Sequence, residues 1–224
     1  MTQKPRILCF HGLGSNAEIF RAQTYQLRHR LEPYYELVYL NGPYEAEPGP
    51  GVLPIFEGCG PYYRWTRDNE EAYNKDEYDH SGWDRSEGLR MVLDKLDPPI
   101  SSPVWVGLLG FSHGGRVSAG ILKQQSLRSK LGQSGDQQSL HKFLPSNFKF
   151  GVFFHSAYPP LEFPVAILPE YDDCTISTPS IHIHGLKDPS LSIQQRLVEH
   201  FQQEKRIVIE SPVGHWLPSS EEGH

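Results

Sequence analysis

The feature that most constrains this chain is a glycine-flanked serine directly after a run of apolar residues. The run spans residues 103–109, and residues 110–114 then read Gly-Phe-Ser-His-Gly. A buried strand followed by Gly-x-Ser-x-Gly and a helix is typical of a nucleophile elbow, a strained turn that presents the serine hydroxyl at the edge of a sheet. Apolar residues continue at helical spacing after Gly114, so both flanks fit this turn and Ser112 is the predicted nucleophile. The alternative is an ordinary glycine turn whose serine caps a helix.

Short apolar runs alternate with helical patterns along the chain. Strands are predicted at residues 6–10, 36–40, 103–109, 148–154, 180–184 and 206–210, and helices at roughly 15–31, 84–96, 114–131 and 190–203. Strands that alternate with helices form a parallel sheet with right-handed crossovers. The predicted fold class is therefore α/β: an α/β-hydrolase fold with a mainly parallel, doubly wound sheet of about six strands and an irregular lid-like insertion.

The composition is typical of a soluble globular protein. At 224 residues without an internal repeat, a single domain over residues 1–224 is the simplest expectation. Hydrophobic residues make up 38% of the chain, and no apolar run is long enough for a membrane span. The net charge of −6 argues against nucleic-acid binding, because phosphate neutralisation needs a basic surface. The first strand leaves no room for a signal peptide and the three cysteines are scattered, so we expect a cytoplasmic protein with no metal and no cofactor.

Two connections are too long and irregular to be simple crossovers. Residues 41–83 are rich in Pro, Gly, Tyr and acidic residues, and residues 132–147 are rich in Gln and Ser. We predict lid or pocket insertions here, with Tyr62, Tyr63 and Trp65 of the first insertion as substrate-binding side chains. The alternative is an aromatic cluster that only shields one end of the core.

A serine nucleophile needs a histidine base and a carboxylate that orients this histidine. In α/β-hydrolases the acid and then the histidine follow the serine along the chain. Asp188 is the predicted acid because it lies just beyond the strand at 180–184, at the carboxyl edge of the sheet. His215 directly follows the last strand and is the predicted base. Its neighbour Trp216 is a further predicted substrate contact.

The negative oxygen of the tetrahedral intermediate needs backbone N–H donors aimed at it in advance. One predicted donor of this oxyanion hole is the N–H of His113, which follows the nucleophile and opens a helix. The other is the N–H of Leu13, in the glycine-rich loop at 10–16. His11 and Asn16 are expected to brace that loop by hydrogen bonds, although Asn16 could equally cap the following helix.

With these residues in place, the chain resembles the small fungal serine hydrolases of the FSH type over nearly its whole length. The matching segments are residues 7–12, 41–43, 110–115, 184–188 and 214–218. Members commonly have glutamine and then alanine after the serine, where this chain has His113 and Gly115. They usually have a serine and a glycine after the fourth strand, and the segment Phe154-His155-Ser156-Ala157-Tyr158 of this chain breaks that pattern.

Several fungal members release a finished polyketide chain from its acyl carrier by cleaving a thioester. The resemblance therefore implies a serine hydrolase, a thioesterase or carboxylesterase, whose partner is an acyl substrate presented by an acyl carrier protein of a polyketide synthase. Release would occur by hydrolysis or by lactonisation, through an acyl-serine intermediate. A short-chain carboxylesterase and a non-catalytic binding protein on the same fold are the alternatives. Acyl carriers are usually acidic, so four basic residues after Ser112 are candidates for docking, unless they form a solvated helix face: Arg116, Lys123, Arg128 and Lys130.

Overall fold

The apolar runs of the sequence form strands, and the segments between them supply helices. A computed structural model describes residues 3–67, 87–134, 140, 143–161 and 174–217. The strands are β1 (Arg6–Phe10), β2 (Glu36–Leu40), β3 (Tyr44–Ala46), β4 (Tyr62–Arg64), β5 (Trp105–Phe111), β6 (Phe150–Phe154), β7 (Ser180–Gly185) and β8 (Arg206–Ser211). The helices are α1 (Ala17–Gln23), α2 (Tyr25–Leu31), α3 (Glu87–Leu93), α4 (His113–Ser134) and α5 (Leu191–Val198), with a 3₁₀ turn at Gln203–Lys205.

Six strands form one sheet in the order β2-β1-β5-β6-β7-β8. Every neighbouring pair in this sheet is parallel. The chain starts inside the sheet, moves to one side and then to the other, which is the doubly wound arrangement. The predicted fold class is confirmed. Because all six strands run in the same direction, the loops that follow them meet at one edge of the sheet.

Apolar side chains cover both faces of this sheet. In β1, Leu8 and Phe10 belong to one buried cluster, whereas Ile7 and Cys9 belong to the other. Neighbouring residues of a strand point to opposite faces, so burial on both faces produces a continuous apolar run rather than alternation. Within the described ranges, no helix is both long and apolar enough to cross a membrane.

The helix predicted over 15–31 is divided in two. Thr24 separates α1 from α2, and its backbone has a ψ of 14°, outside the helical range. The Thr24 hydroxyl donates to the Phe20 carbonyl over 2.8 Å. Hydroxyl side chains that bond back to the preceding turn compete with regular helical bonding, which explains a break at this position.

The first insertion contains an antiparallel pair, β3 with β4, that the sequence does not predict. Each strand is three residues long and lies among prolines and glycines, so no alternation is visible. Residues 68–83 of this insertion lie outside the described part of the chain. Residues 135–139 and 141–142 of the second insertion also lie outside it.

Candidate active site

Ser112 lies in the turn between β5 and α4, and its backbone is left-handed, with a φ of 51°. This conformation is strained for any residue with a side chain. Backbone hydrogen bonds hold it in place: the Ser112 N–H donates to the Phe154 carbonyl over 2.9 Å, and the Ser112 carbonyl accepts from the Ala157 N–H over 3.1 Å. The loop after β6 therefore clamps the turn that carries the serine.

The two glycines of the motif are required by close backbone packing. A Cβ on Gly114 would lie 2.0 Å from the Phe10 carbonyl oxygen, and a Cβ on Gly110 would lie 2.6 Å from the Gly114 carbonyl oxygen. Backbone atoms cannot move aside as the end of a flexible side chain can. Glycine at these positions lets α4 start directly against the sheet.

His215 bridges Ser112 and Asp188. Its Nε2 lies 2.9 Å from Ser112 Oγ, and its Nδ1 lies 2.6 Å from Asp188 Oδ2. With Nδ1 donating to the carboxylate, Nε2 carries the lone pair that can accept the serine proton. The Asp188 side chain is 1% exposed and that of His215 is 30% exposed, so solvent reaches the base but not the acid. The structure thus brings the three predicted triad residues together.

Both carboxylate oxygens of Asp188 accept hydrogen bonds. Oδ1 accepts from the Ser190 N–H over 2.8 Å and from the Ser190 hydroxyl over 2.6 Å. Oδ2 accepts from Gln194 Nε2 over 2.6 Å in addition to His215. Burial favours the neutral acid, but the hydrogen bonds from Ser190 and His215 outweigh it, and the pKa of Asp188 lies below its ordinary value. Asp188 is therefore a negative charge that can stabilise a protonated His215.

Sequence reasoning missed the residues that hold Asp188. The carboxylate of Asp188 accepts from the backbone N–H of Ser190, two residues later in the chain, which is an Asx turn. The pattern Asp-x-Ser before a helix is a signal that could have predicted this turn. Gln194 lies one turn along α5, where its Oε1 also accepts the Gly185 N–H over 3.3 Å. A buried glutamine in a short helix gives no comparable signal.

The loop after β1 is held by the side chain and the carbonyl of His11. Its Nδ1 lies 2.7 Å from the Gly12 carbonyl oxygen, and its Nε2 accepts from the Gly42 N–H over 3.0 Å. Burial lowers the pKa of His11 to about 4, so the imidazole is neutral near pH 7. Trp65 Nε1 donates to the His11 carbonyl over 2.9 Å. The expected bracing of this loop by His11 is therefore present.

Asn16 performs both of the tasks considered for it. Its Oδ1 accepts from the Ile19 N–H over 2.8 Å and caps α1. Its Nδ2 donates to the carbonyls of Cys59 and Pro61 over 2.8 and 3.0 Å. The first insertion is thereby fastened to the loop that carries Leu13.

The two predicted oxyanion donors lie on segments that meet beside Ser112. Leu13 follows Gly12, where a Cβ would lie 3.6 Å from Ser112 Cβ. His113 is the first residue of α4, and burial lowers the pKa of its imidazole to about 3. The side chain beside the nucleophile is therefore neutral.

Comparison with known protein families matches residues 1–223 to the family described as "Serine hydrolase (FSH1)". The chain belongs to this family. "Esterase FUS5" of Gibberella fujikuroi is 35% identical over 221 residues, which cover 98% of this chain and 82% of that protein. "Probable esterase tazC" of Aspergillus terreus is 30% identical over 239 residues, which cover 96% of this chain and 86% of that protein. This FSH1-family protein is therefore a serine hydrolase.

Solved structures agree on the fold. Zea mays acyl-protein thioesterase 2 superposes with a TM-score of 0.60 at 20% sequence identity, and the match covers 99% of this chain and 90% of that chain. Arabidopsis thaliana SOBER1 gives a TM-score of 0.51 at 15% identity, with coverage of 96% of this chain and 92% of that chain. These likenesses place the FSH1-family chain in the α/β-hydrolase fold.

Gly115 of α4 packs closely against Ser156 in the loop after β6. A Cβ on Gly115 would lie 1.9 Å from the Ser156 hydroxyl oxygen. Glycine at position 115 therefore leaves the space that the Ser156 side chain occupies.

The aromatic residues predicted to bind substrate have different environments. Trp65 is 0% exposed, so it supports the core and the loop after β1 and offers no surface to a substrate, contrary to the prediction. Tyr62 and Tyr63 are half-buried on β4. Trp216 is 54% exposed and adjoins His215. Tyr62, Tyr63 and Trp216 remain predicted substrate contacts.

Helix α4 is not the exposed basic face that the sequence suggests. Arg116 is 3% exposed, and its Nε donates to the Pro159 carbonyl over 2.6 Å. Lys123 and Arg128 are half-buried, and Lys130 is exposed. Because α4 packs against the sheet, Arg116 cannot belong to a docking surface, and the four basic residues do not form one solvated row.

Proposed function

We propose that this serine hydrolase cleaves an acyl thioester or ester through an acyl-enzyme on Ser112, and that its substrate is a polyketide acyl chain held on an acyl carrier protein. The observation that carries the catalytic part is the contact from Ser112 Oγ through His215 to Asp188, at 2.9 and 2.6 Å. A neutral imidazole within reach of a hydroxyl, with a buried carboxylate behind it, activates that hydroxyl as a nucleophile.

In the first half of the reaction, Ser112 Oγ attacks the carbonyl carbon while His215 Nε2 takes its proton. The backbone N–H groups of Leu13 and His113 donate to the negative oxygen of the tetrahedral intermediate. His215 then gives the proton to the leaving thiol or alcohol as the C–S or C–O bond breaks. Asp188 stabilises the imidazolium throughout.

In the second half, water attacks the acyl-serine ester as His215 takes its proton. The tetrahedral intermediate collapses, the proton returns to Ser112 Oγ, and a carboxylic acid leaves. If a hydroxyl of the acyl chain attacks in place of water, the same steps release a lactone. A site that excludes water favours the second product.

Exposed apolar side chains lie at the edge of the sheet that carries Ser112, and they support the proposal of an acyl substrate. Leu186 follows β7 and is 49% exposed, and Trp216 follows β8. Leu53 and Ile55 lie on the first insertion and are 48% and 77% exposed. Backbone hydrogen bonds join this insertion to the loop after β1, which places it at the same edge. Apolar surface at the edge of the sheet that carries the nucleophile suits a hydrocarbon chain.

A carboxylesterase acting on free oxygen esters is the second candidate. The relatives are named esterases, and "Esterase citA" of Monascus ruber, 30% identical over 242 residues that cover 96% of this chain and 85% of that protein, is a further example. The same apolar surface suits the acyl group of a free ester. The leaving group and its carrier, rather than the acyl chain, therefore distinguish the two candidates.

The test is kcat/KM for one acyl chain presented in three forms: on an acyl carrier protein, on pantetheine alone and as an ethyl ester. Ser112→Ala gives the background for each form. The proposal predicts that the carrier-bound thioester exceeds the ethyl ester by more than about a hundredfold, and that it also exceeds the pantetheine thioester. Equal turnover of the two thioesters would remove the carrier from the proposal. Equal or faster turnover of the ethyl ester would leave the carboxylesterase.

A further inference from the structure

His155 is a buried histidine beside the triad that the reaction described above does not use. It directly follows β6, and its side chain is 0% exposed. Its φ is 44°, a strained conformation for a histidine. The His155 N–H donates to the Ile183 carbonyl over 2.9 Å, which helps to hold this conformation. Strain of this kind persists only where the surroundings fix it, and it is often found at functional sites.

The His155 ring lies beside both the acid and the base of the triad. Its Nδ1 is 3.4 Å from Asp188 Oδ2, the oxygen that also contacts His215. The ring centroids of His155 and His215 are 5.8 Å apart. Gly185 leaves the space that the ring occupies, because a Cβ there would lie 2.8 Å from both Nδ1 and Cε1 of His155.

Both nitrogens of this ring are buried, and neither meets hydrogen-bond geometry with the described residues, although the backbone of Trp216 also attracts a ring hydrogen. Nδ1 points at a carboxylate oxygen, which can only accept. A lone pair on Nδ1 would therefore repel Asp188, whereas a hydrogen on Nδ1 attracts it. The charge of Asp188 acts on the ring more strongly than the backbone of Trp216, so electrostatics favours the tautomer with the hydrogen on Nδ1.

The charge state of His155 agrees with this tautomer. Burial, assisted by His215 and His184, lowers its pKa to about 4, although the charge of Asp188 and the backbone of Trp216 act in the opposite direction. The imidazole is therefore neutral near pH 7 and carries one ring hydrogen.

We propose that His155 is a positioning residue that acts through Asp188 by directing its Nδ1–H at Oδ2. This N–H dipole stabilises the carboxylate and weakens its pull on the proton of His215. The base can then release the proton to the leaving group more readily. The inference rests on the chemistry of the triad and is independent of the acyl group and its carrier.

Two variants separate the polar role from the space that the ring fills. His155→Asn keeps an N–H donor near the position of Nδ1 and tolerates a positive φ. His155→Phe keeps a ring and removes the donor. Hydrolysis of p-nitrophenyl butyrate is measured across the pH range for both variants.

The proposal predicts that His155→Phe lowers kcat/KM about tenfold near pH 7. The acid limb of its pH profile should move to higher pH, because Asp188 then holds the His215 proton more strongly. His155→Asn should stay within about threefold of the wild type with an unmoved limb. A space-filling role would make His155→Phe the better preserved variant and move neither limb, and this result would overturn the proposal.

His182→Phe is the matched control. His182 is another buried histidine of the same sheet, but it stacks on Phe153 at 4.7 Å. We expect this variant to keep the wild-type activity and pH profile.

A measurement on the wild-type protein covers the case in which His155→Phe does not fold. Long-range ¹H–¹⁵N correlation of ¹⁵N-histidine-labelled protein, assigned with His155→Asn, should show the His155 hydrogen on Nδ1. A hydrogen on Nε2 would overturn the proposal. Ser112→Ala tests the hydrolase activity separately, so a failure of the hydrolase proposal can be distinguished from a failure of the His155 proposal.

Discussion

Asp188→Asn is the substitution whose effect the contacts define most closely. Oδ1 accepts two hydrogen bonds from Ser190, at 2.8 and 2.6 Å. Oδ2 accepts from Gln194 and His215, each at 2.6 Å. An asparagine must put its NH₂ group at one of these two positions, and donors occupy both.

Each placement has a calculable cost. If the NH₂ group faces Ser190, a backbone N–H that cannot rotate loses its acceptor, at about 1–3 kcal/mol of stability. If it faces His215, Nδ1 must accept instead of donate. The ring hydrogen then moves to Nε2, which can no longer take the Ser112 proton. In both placements the imidazolium loses its counter-charge, so we expect kcat/KM to fall by about 10³–10⁴.

The assay is hydrolysis of p-nitrophenyl butyrate, with urea unfolding to measure stability. Asp94→Asn, at an exposed position after α3, is the matched control and should behave as the wild type. If the folded Asp188→Asn protein retains activity within tenfold of the wild type, the role given to Asp188 is wrong.

Three further predictions concern packing and charge. Burial lowers the pKa of His182 to about 3, so the folded protein loses stability as the pH falls below the unfolded pKa of 6.5. Measured by urea unfolding, the free energy of unfolding lost between pH 7.5 and 5.0 should be about 2 kcal/mol smaller for His182→Phe than for the wild type, and equal losses would contradict this. Gly114→Ala should give little folded protein, because its Cβ would lie 2.0 Å from a carbonyl oxygen of β1, whereas Gly132→Ala has open space and should express normally; equal yields would refute the steric reasoning. Gln194→Leu should lower kcat/KM by about tenfold, far less than Asp188→Asn, because the carboxylate keeps its hydrogen bonds from Ser190 and His215. A drop as large as that of Asp188→Asn would refute this supporting role.

The convergence of the triad could be predicted because chain order and strand direction determine it. Ser112, Asp188 and His215 each follow a strand of a parallel sheet, so their side chains meet at one edge without knowledge of the packing. The glycines of the elbow could be predicted for the same reason, since a strand-to-helix turn leaves no space for a Cβ.

Other contacts depend on distances between segments that are remote in the chain. His155 is separated from Asp188 by 33 positions, and no pattern in the sequence shows that its Nδ1 lies 3.4 Å from the carboxylate. The sequence leaves two positions open for Trp65, a substrate-facing lid or an aromatic cluster that shields the core, and its complete burial just after β4 agrees with the second. Side-chain direction in an irregular segment is determined by tertiary packing, which local sequence does not encode.

The most direct test of the central claim is intact-mass spectrometry after reaction with a fluorophosphonate, followed by peptide mapping. The account predicts one adduct per chain on Ser112, no adduct in Ser112→Ala, and loss of ester hydrolysis in step with labelling. An adduct on another residue, or continued hydrolysis by fully labelled protein, would contradict Ser112 as the nucleophile.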